Sequence, residues 1–139
     1  MSQRELLLQA ALTVLNAADR PSDIPQATRV RTARYEADEA PAINLAPSHE
    51  EVEPIGGRHS PSVKRTLRLR LECWAGSDAA ADPLLDWVVV ALLSRLPSAY
   101  PCLVAEESIQ WDFVDGGLAR ATVVFVVQYQ TRAADPAAI

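Results

Sequence analysis

Thr66-Leu-Arg-Leu-Arg-Leu-Glu-Cys-Trp74 alternates apolar and polar residues, the two-residue period of a strand with one buried face. Downstream of it, Asp82-Pro83 opens an apolar helix predicted to run to about Arg95. Asp82 supplies a cap, and Pro83 fits a first turn, where a missing N–H costs nothing. Ser108-Ile-Gln-Trp-Asp-Phe113, the turn Asp115-Gly116-Gly117 and the stretch Ala119 to Thr131 then read as a hairpin, with glycine supplying positive φ. Upstream, Ser2-Gln-Arg-Glu5 fits a capping box in which Ser2 and Glu5 bond each other's backbone N–H. The helix it starts carries a wide apolar stripe of Leu7, Leu8, Ala11, Leu12, Val14 and Leu15, and Pro21 and Pro25 stop it. Thr28–Tyr35 and Ala42–Ala46 are short strand candidates. The sum is an α+β fold, a small mixed or antiparallel sheet of about four to five strands packed with two main helices. Residues 1–139 read as a single domain, large enough to bury a core without metals or disulfides.

From Pro47 to Ser62 the pattern changes. Three prolines, Gly56, Gly57, two histidines and Glu50-Glu51-Val52-Glu53 leave almost no apolar periodicity, which predicts a mobile loop between early strands. Ala133–Ile139 reads as a flexible tail.

The second helix has an unusual face. Leu85, Val88, Val89, Leu92 and Leu96 form one apolar stripe, and Trp87, Val90 and Ala91 form another on the opposite side. A helix that is apolar nearly all round is buried on both sides. In a chain this small the second covering layer is expected to be another subunit, so Trp87, Val90 and Ala91 are candidate interface residues. The last strand carries the same message: Ala121, Val123, Phe125, Val127 and Tyr129 line one face, while Val124 and Val126 make the centre of the other face apolar too.

Chemistry is hard to find. His49-Glu50-Glu51-Val52-Glu53 lacks the second histidine that a helical zinc site needs, and Gly56-Gly57-Arg58-His59-Ser60 lacks the spacing and lysine of a phosphate loop. Ser60 and Ser62 have no nucleophile-elbow context. Cys73 and Cys102 are too far apart for a redox or metal motif, and Cys73 reads as a small core residue. No catalytic residue, metal or cofactor is expected. A net charge of −5 argues against a general nucleic-acid binder. The longest apolar run, Trp87 to Leu93, falls short of the roughly 20 residues that span a bilayer, and no secretory leader is recognised, so a cytoplasmic protein with reduced thiols is expected. Basic residues do cluster: Arg29, Arg31, Arg34, Lys64, Arg65, Arg68 and Arg70 are seven of the thirteen. Lys64, Arg68 and Arg70 share one strand face. That face is either solvated, balanced by Glu36 and Glu72, or it meets a partner. The partner would be DNA moving through a channel or acidic groups such as Glu50, Glu51, Glu53 and the Glu106-Glu107 pair on a neighbouring copy.

Over nearly its full length the chain resembles the phage lambda tail terminator and related minor tail proteins. The landmarks are Arg4-Glu5-Leu6 opening the first helix, Pro41-Ala42-Ile43-Asn44-Leu45 as a short strand, and the alternating strand before Asp86-Trp87 of the second helix. Trp111-Asp112-Phe113, Gly117, Ala121 and Tyr129 of the last hairpin complete them. The resemblance implies a homohexameric ring that caps the finished tail tube, stops its polymerisation and presents a head-joining surface. Its partners would be copies of itself, the tube protein and a head completion or connector protein. DNA would be met only in passage and no membrane would be involved. The protein would be in the host cytoplasm during assembly and in the virion tail afterwards. The family has no catalytic residues to carry over. The alternatives are another head–tail connector, a secretion-system-like ring component, or a small-molecule-binding α+β domain.

Overall fold

The computed structural model of the protein describes residues 2–29, 35–55, 62–114 and 117–132. Helix α1 (Gln3–Leu15) leads to β1 (Ala27–Arg29), a single 3-10 turn (Ala37–Glu39) and β2 (Ala42–Ile55). Then follow β3 (Ser62–Ala75), α2 (Asp78–Ala99), β4 (Leu103–Val114) and β5 (Leu118–Arg132). The strands form one mixed sheet in the order β1-β2-β3-β5-β4, with β1 parallel to β2 and the other neighbours antiparallel. The expected α+β architecture, with five strands and two main helices, is what the chain adopts.

Both helices pack on one face of the sheet. The alternation that announced β3 puts Leu67, Leu69, Leu71 and Cys73 into the core, beside Ala121, Val123, Phe125 and Val127 of β5. Leu7, Ala11 and Leu15 of α1 and Val88, Ala91, Leu92 and Leu96 of α2 complete this apolar layer. Each such side chain contributes about 1.5–3 kcal/mol on burial. On the other face a small satellite core gathers Tyr35, Ala42, Trp74 and Leu118. There the Arg120 guanidinium lies 5.2 Å over the Trp74 ring.

Four expectations need correction. The stretch from Pro47 is not a loop: Pro47–Ile55 continues β2, paired with β3 out to Ile55 opposite Ser62. Two prolines fit there because, among the described residues, β1 reaches only Leu45, so the outer edge of β2 has no described ladder partner to lose. Residues 56–61 of that expected loop, and the tail 133–139, lie outside the described residues. Second, α2 starts earlier than Asp82. Ser77 caps it, its Oγ accepting the Ala80 N–H at 3.0 Å, and Asp78-Ala79-Ala80-Ala81 are helical. Pro83 and Pro97 lie inside this helix on its exposed side, where the carbonyls of Ala79 and Leu93 that they deprive of a donor can turn to water. Third, Glu5 does not close the capping box. Ser2 Oγ accepts the Glu5 N–H at 3.1 Å, while the Glu5 carboxylate pairs with Arg29.

The fourth correction concerns the proposed subunit contact. Trp87 is only 9% exposed and Ala91 fully buried, both inside the core of this one chain. The Trp87 indole N–H donates to the Leu15 carbonyl at 3.0 Å, satisfying one of the carbonyls that the end of α1 leaves without a helical donor. Arg95 stacks 5.1 Å over the same ring and is held there by Asp19 at 2.7 Å. Of the three interface candidates on this helix, only Val90 is exposed, at 56%. Two of the three residues of that second stripe, Trp87 and Ala91, are thus buried within the chain, Trp87 against the end of α1.

Trp87→Asp is therefore expected to unfold the chain. Trp87→Phe, which keeps a ring but loses the hydrogen bond to Leu15, should cost about 1–2 kcal/mol. Chemical denaturation of the two variants, followed by circular dichroism, checks both expectations.

Candidate functional site

Register decides which face each charged side chain occupies. In β3, Lys64, Arg68 and Arg70 alternate with the core residues and share the outer face, as their spacing implied. Their partners lie in the same chain. Lys64 Nζ is 3.3 Å from Glu53. Arg68 reaches Glu107 of β4 at 3.2 Å across the intervening β5 and Glu51 of β2 at 3.5 Å. These contacts raise the Arg68 pKa, the hydrogen bond to Glu107 contributing most. Of the acidic groups pictured as meeting this patch from a neighbouring copy, Glu51, Glu53 and Glu107 meet it within the chain. Arg70 is exposed and has no ion pair among the described residues. Val124 and Val126 of β5 sit opposite Arg70 and Arg68 on the same outer face, half-buried. Arg31, Arg34 and His59 lie outside the described residues.

Glu50 does not belong with Glu51 and Glu53. The register of β2 against β3 shifts between Pro47 and His49, and this bulge reverses the alternation. Glu50 thereby points to the helix side, where it is paired with Leu67 in register. Arg4, at the start of α1, donates to its Oε2 at 2.5 Å. Arg65 donates to the same oxygen at 3.2 Å, and the Tyr129 hydroxyl donates to Oε1 at 2.5 Å. Arg65 is fixed in turn by Thr131, whose hydroxyl accepts from Nε at 2.8 Å. Burial pushes the Glu50 carboxyl upward, but the hydrogen bonds from Arg4 and Tyr129 and the charges of Arg4 and Arg65 more than offset it, leaving it below its ordinary range. The Tyr129 hydroxyl is raised by burial and by Glu50. The cluster ties α1, β2, β3 and β5 together at the end of the core. The sequence pattern hides it, because a bulge has no apolar signature.

At that end lies a depression of about 400 Å³, lined by Lys64, Tyr100, Cys102, Leu103, Gln128 and Tyr129 among others. Burial holds the Cys102 thiol up at about 11, so it stays protonated at neutral pH. Burial, helped by Glu72, pushes Cys73 to about 12. His49 is exposed beside Glu51 at 3.4 Å, and the described residues contain no group of three potential metal ligands. Among the described residues no helix is long and apolar enough to cross a membrane.

The second region that sequence reading missed is the edge strand β4. It exposes Leu103 (71%), Ile109 (42%), Trp111 (39%) and Phe113 (74%). A second bulge, between Glu106 and Ser108, turns Ile109, Trp111 and Phe113 toward the helix side, in register with Val123, Ala121 and Ala119. They lie beyond the cover of α2. Trp111 and Phe113, with Asp78, Ala79 and Asp82 of α2, line an open groove of about 430 Å³. The Trp111-Asp112-Phe113 alternation marks a strand, but no local pattern says which strand ends a sheet.

No protein-family model and no curated protein sequence matches this chain.

Glu50→Gln is expected to lower stability by about 2 kcal/mol at pH 7, since two guanidinium groups lose their shared carboxylate. Because the folded-state pKa of Glu50 is depressed, its contribution is present above the unfolded value near 4.5 and is lost as pH falls through the folded value. The difference between wild type and variant should therefore shrink below about pH 4.5, as unfolding free energies measured in urea across that range will show.

Proposed function

We propose that the protein is a ring-forming structural subunit of a phage or prophage tail. It caps the tail tube, ends its polymerisation and offers the surface to which the head joins. The observation that carries this reading is the outer face of β3 and β5, which no helix among the described residues covers. Half-buried Val124 and Val126 lie at its centre, bordered by Arg68, Arg70, Thr122 and Gln128. A central pair of strands with one bare face of mixed polarity suits docking between rigid bodies better than it suits catalysis. The family likeness of the sequence, from Arg4-Glu5-Leu6 to Tyr129, supplies the specific assignment.

The mechanism is geometric. A head-to-tail ring presents two chemically different sides. One matches the last ring of the tube, and the other cannot accept a further tube subunit, so growth stops. Partners are then further copies of this chain, the tube protein and a head connector. DNA is a passing contact, consistent with a net charge of −5 that disfavours tight nucleic-acid binding.

The direct test is to remove the gene and image the tails. Overlong, headless tails of variable length are expected, and normal, headed tails without the protein would overturn the assignment. At the level of the subunit, Val126→Asp should leave a folded chain, at a cost of about 1 kcal/mol, yet reduce ring formation in sedimentation velocity.

A further inference from the structure

The two edges of the sheet differ. Beyond Leu45 the edge of β2, which no described residue pairs, carries Pro47, Pro54, a bulge and Glu51 and Glu53, which are devices that block strand addition. The open edge of β4 has no proline, and although a bulge interrupts it between Glu106 and Ser108, from Ser108 to Val114 it pairs β5 without a break and exposes Ile109, Trp111 and Phe113 on one side. A regular edge segment with exposed aromatic residues is a template for one more strand.

The groove beside this edge indicates what that strand carries. Asp78 and Asp82 form its helical wall, and neither has an ion-pair partner among the described residues; Asp78 Oδ1 accepts only the Ala79 N–H, at 2.9 Å. Carboxylates are common at the start of a helix. Here, however, they open onto the exposed rings of Trp111 and Phe113, a combination that suits a lysine or arginine next to an aliphatic side chain.

We propose that β4 binds an extended basic segment of a different protein as a sixth strand. Alternate apolar side chains rest on Trp111 and Phe113, and cationic side chains reach Asp78 and Asp82. A second copy of this chain is a poor occupant. Neither β2 (Ala42–Ile55) nor β4 (Leu103–Val114) carries a lysine or arginine that could reach Asp78 and Asp82. This inference stands on the groove alone and does not depend on the tail assignment.

An alternating Lys–Val heptapeptide is the probe, with a Glu–Val peptide and a form N-methylated at alternate residues as comparisons. Calorimetry at low salt should show binding of the Lys–Val peptide only. Amide exchange should slow along β4 and not along the open part of β2. Asp78→Asn combined with Asp82→Asn, both on exposed sites that leave the fold intact, should weaken binding about tenfold, as should high salt. Trp111→Ala with Phe113→Ala should abolish it, with an unchanged circular dichroism spectrum confirming the fold. Failure of the peptide to protect β4, equal binding of the Glu–Val peptide, or indifference to the two aspartates would overturn the proposal. Protection of β4 that rises with protein concentration in the absence of peptide would overturn it in favour of a second copy.

Discussion

Among the described residues two α-helices must cover five strands, and the rest of the structure follows from that constraint. They build one apolar layer, in which Val88, Ala91, Leu92 and Leu96 of α2 and Leu7, Ala11 and Leu15 of α1 meet the core face of β3 and β5. The Trp87 to Leu15 hydrogen bond and the Arg95–Asp19 pair lock the helices to each other, so α2 spends Trp87 and Ala91 of its second apolar stripe inside the chain. Among the described residues no helix remains to cover the outer face. That face is instead stabilised by cross-strand charges and by the satellite core around Trp74. The ladder of Lys64–Glu53, Arg68–Glu51, Arg68–Glu107 and Arg120–Glu72 is what a sheet face becomes when it must tolerate water. Individually such pairs contribute little, but together they remove repulsion from a face dense in arginine.

The two bulges matter more than their size suggests. Each inserts one residue and reverses the side on which later residues emerge. In β2 the reversal takes Glu50 off the outer ladder and places it under α1, where Arg4, Arg65 and Tyr129 surround it. In β4 it turns Ile109, Trp111 and Phe113 to the helix side, past the edge of the helical cover. One bulge therefore creates the best-satisfied polar cluster in the structure, and the other its most exposed apolar strip.

The sequence revealed whatever depends on local period. Thr66–Trp74 reads as a strand because alternation continues without a break, and Gly117 reads as a turn residue because its φ of +84° suits glycine. Ser2 reads as a cap for the same kind of local reason. Proline-rich Pro47–Ile55 misleads, because composition reports a lack of core-facing residues and an edge strand lacks them too. The second stripe of α2 misleads for a different reason. Periodicity counts apolar faces without saying what covers them, and here the chain itself buries Trp87 and Ala91. Sheet order, bulges and the partner of Glu50 depend on contacts far apart in the chain, and no window of residues contains them.

Charge shows how the two surface regions differ in kind. On the outer face nearly every cation of β3 has found an anion, so the face is close to neutral locally, with Arg70 left over. At the β4 groove the imbalance has the opposite sign: among the described residues Asp78 and Asp82 have no ion-pair partner, and they lie beside the exposed Trp111 and Phe113. Desolvating an uncompensated carboxylate is costly unless a cation arrives with the surface that covers it. An apolar partner alone is therefore penalised at this groove, and so is an acidic one. A neutral ladder imposes no such condition. The outer face can meet a broad, flat surface with little demand on its charge, whereas the edge groove discriminates by sign. The two proposed contacts draw on different residues, so occupancy of the outer face would leave the β4 groove free.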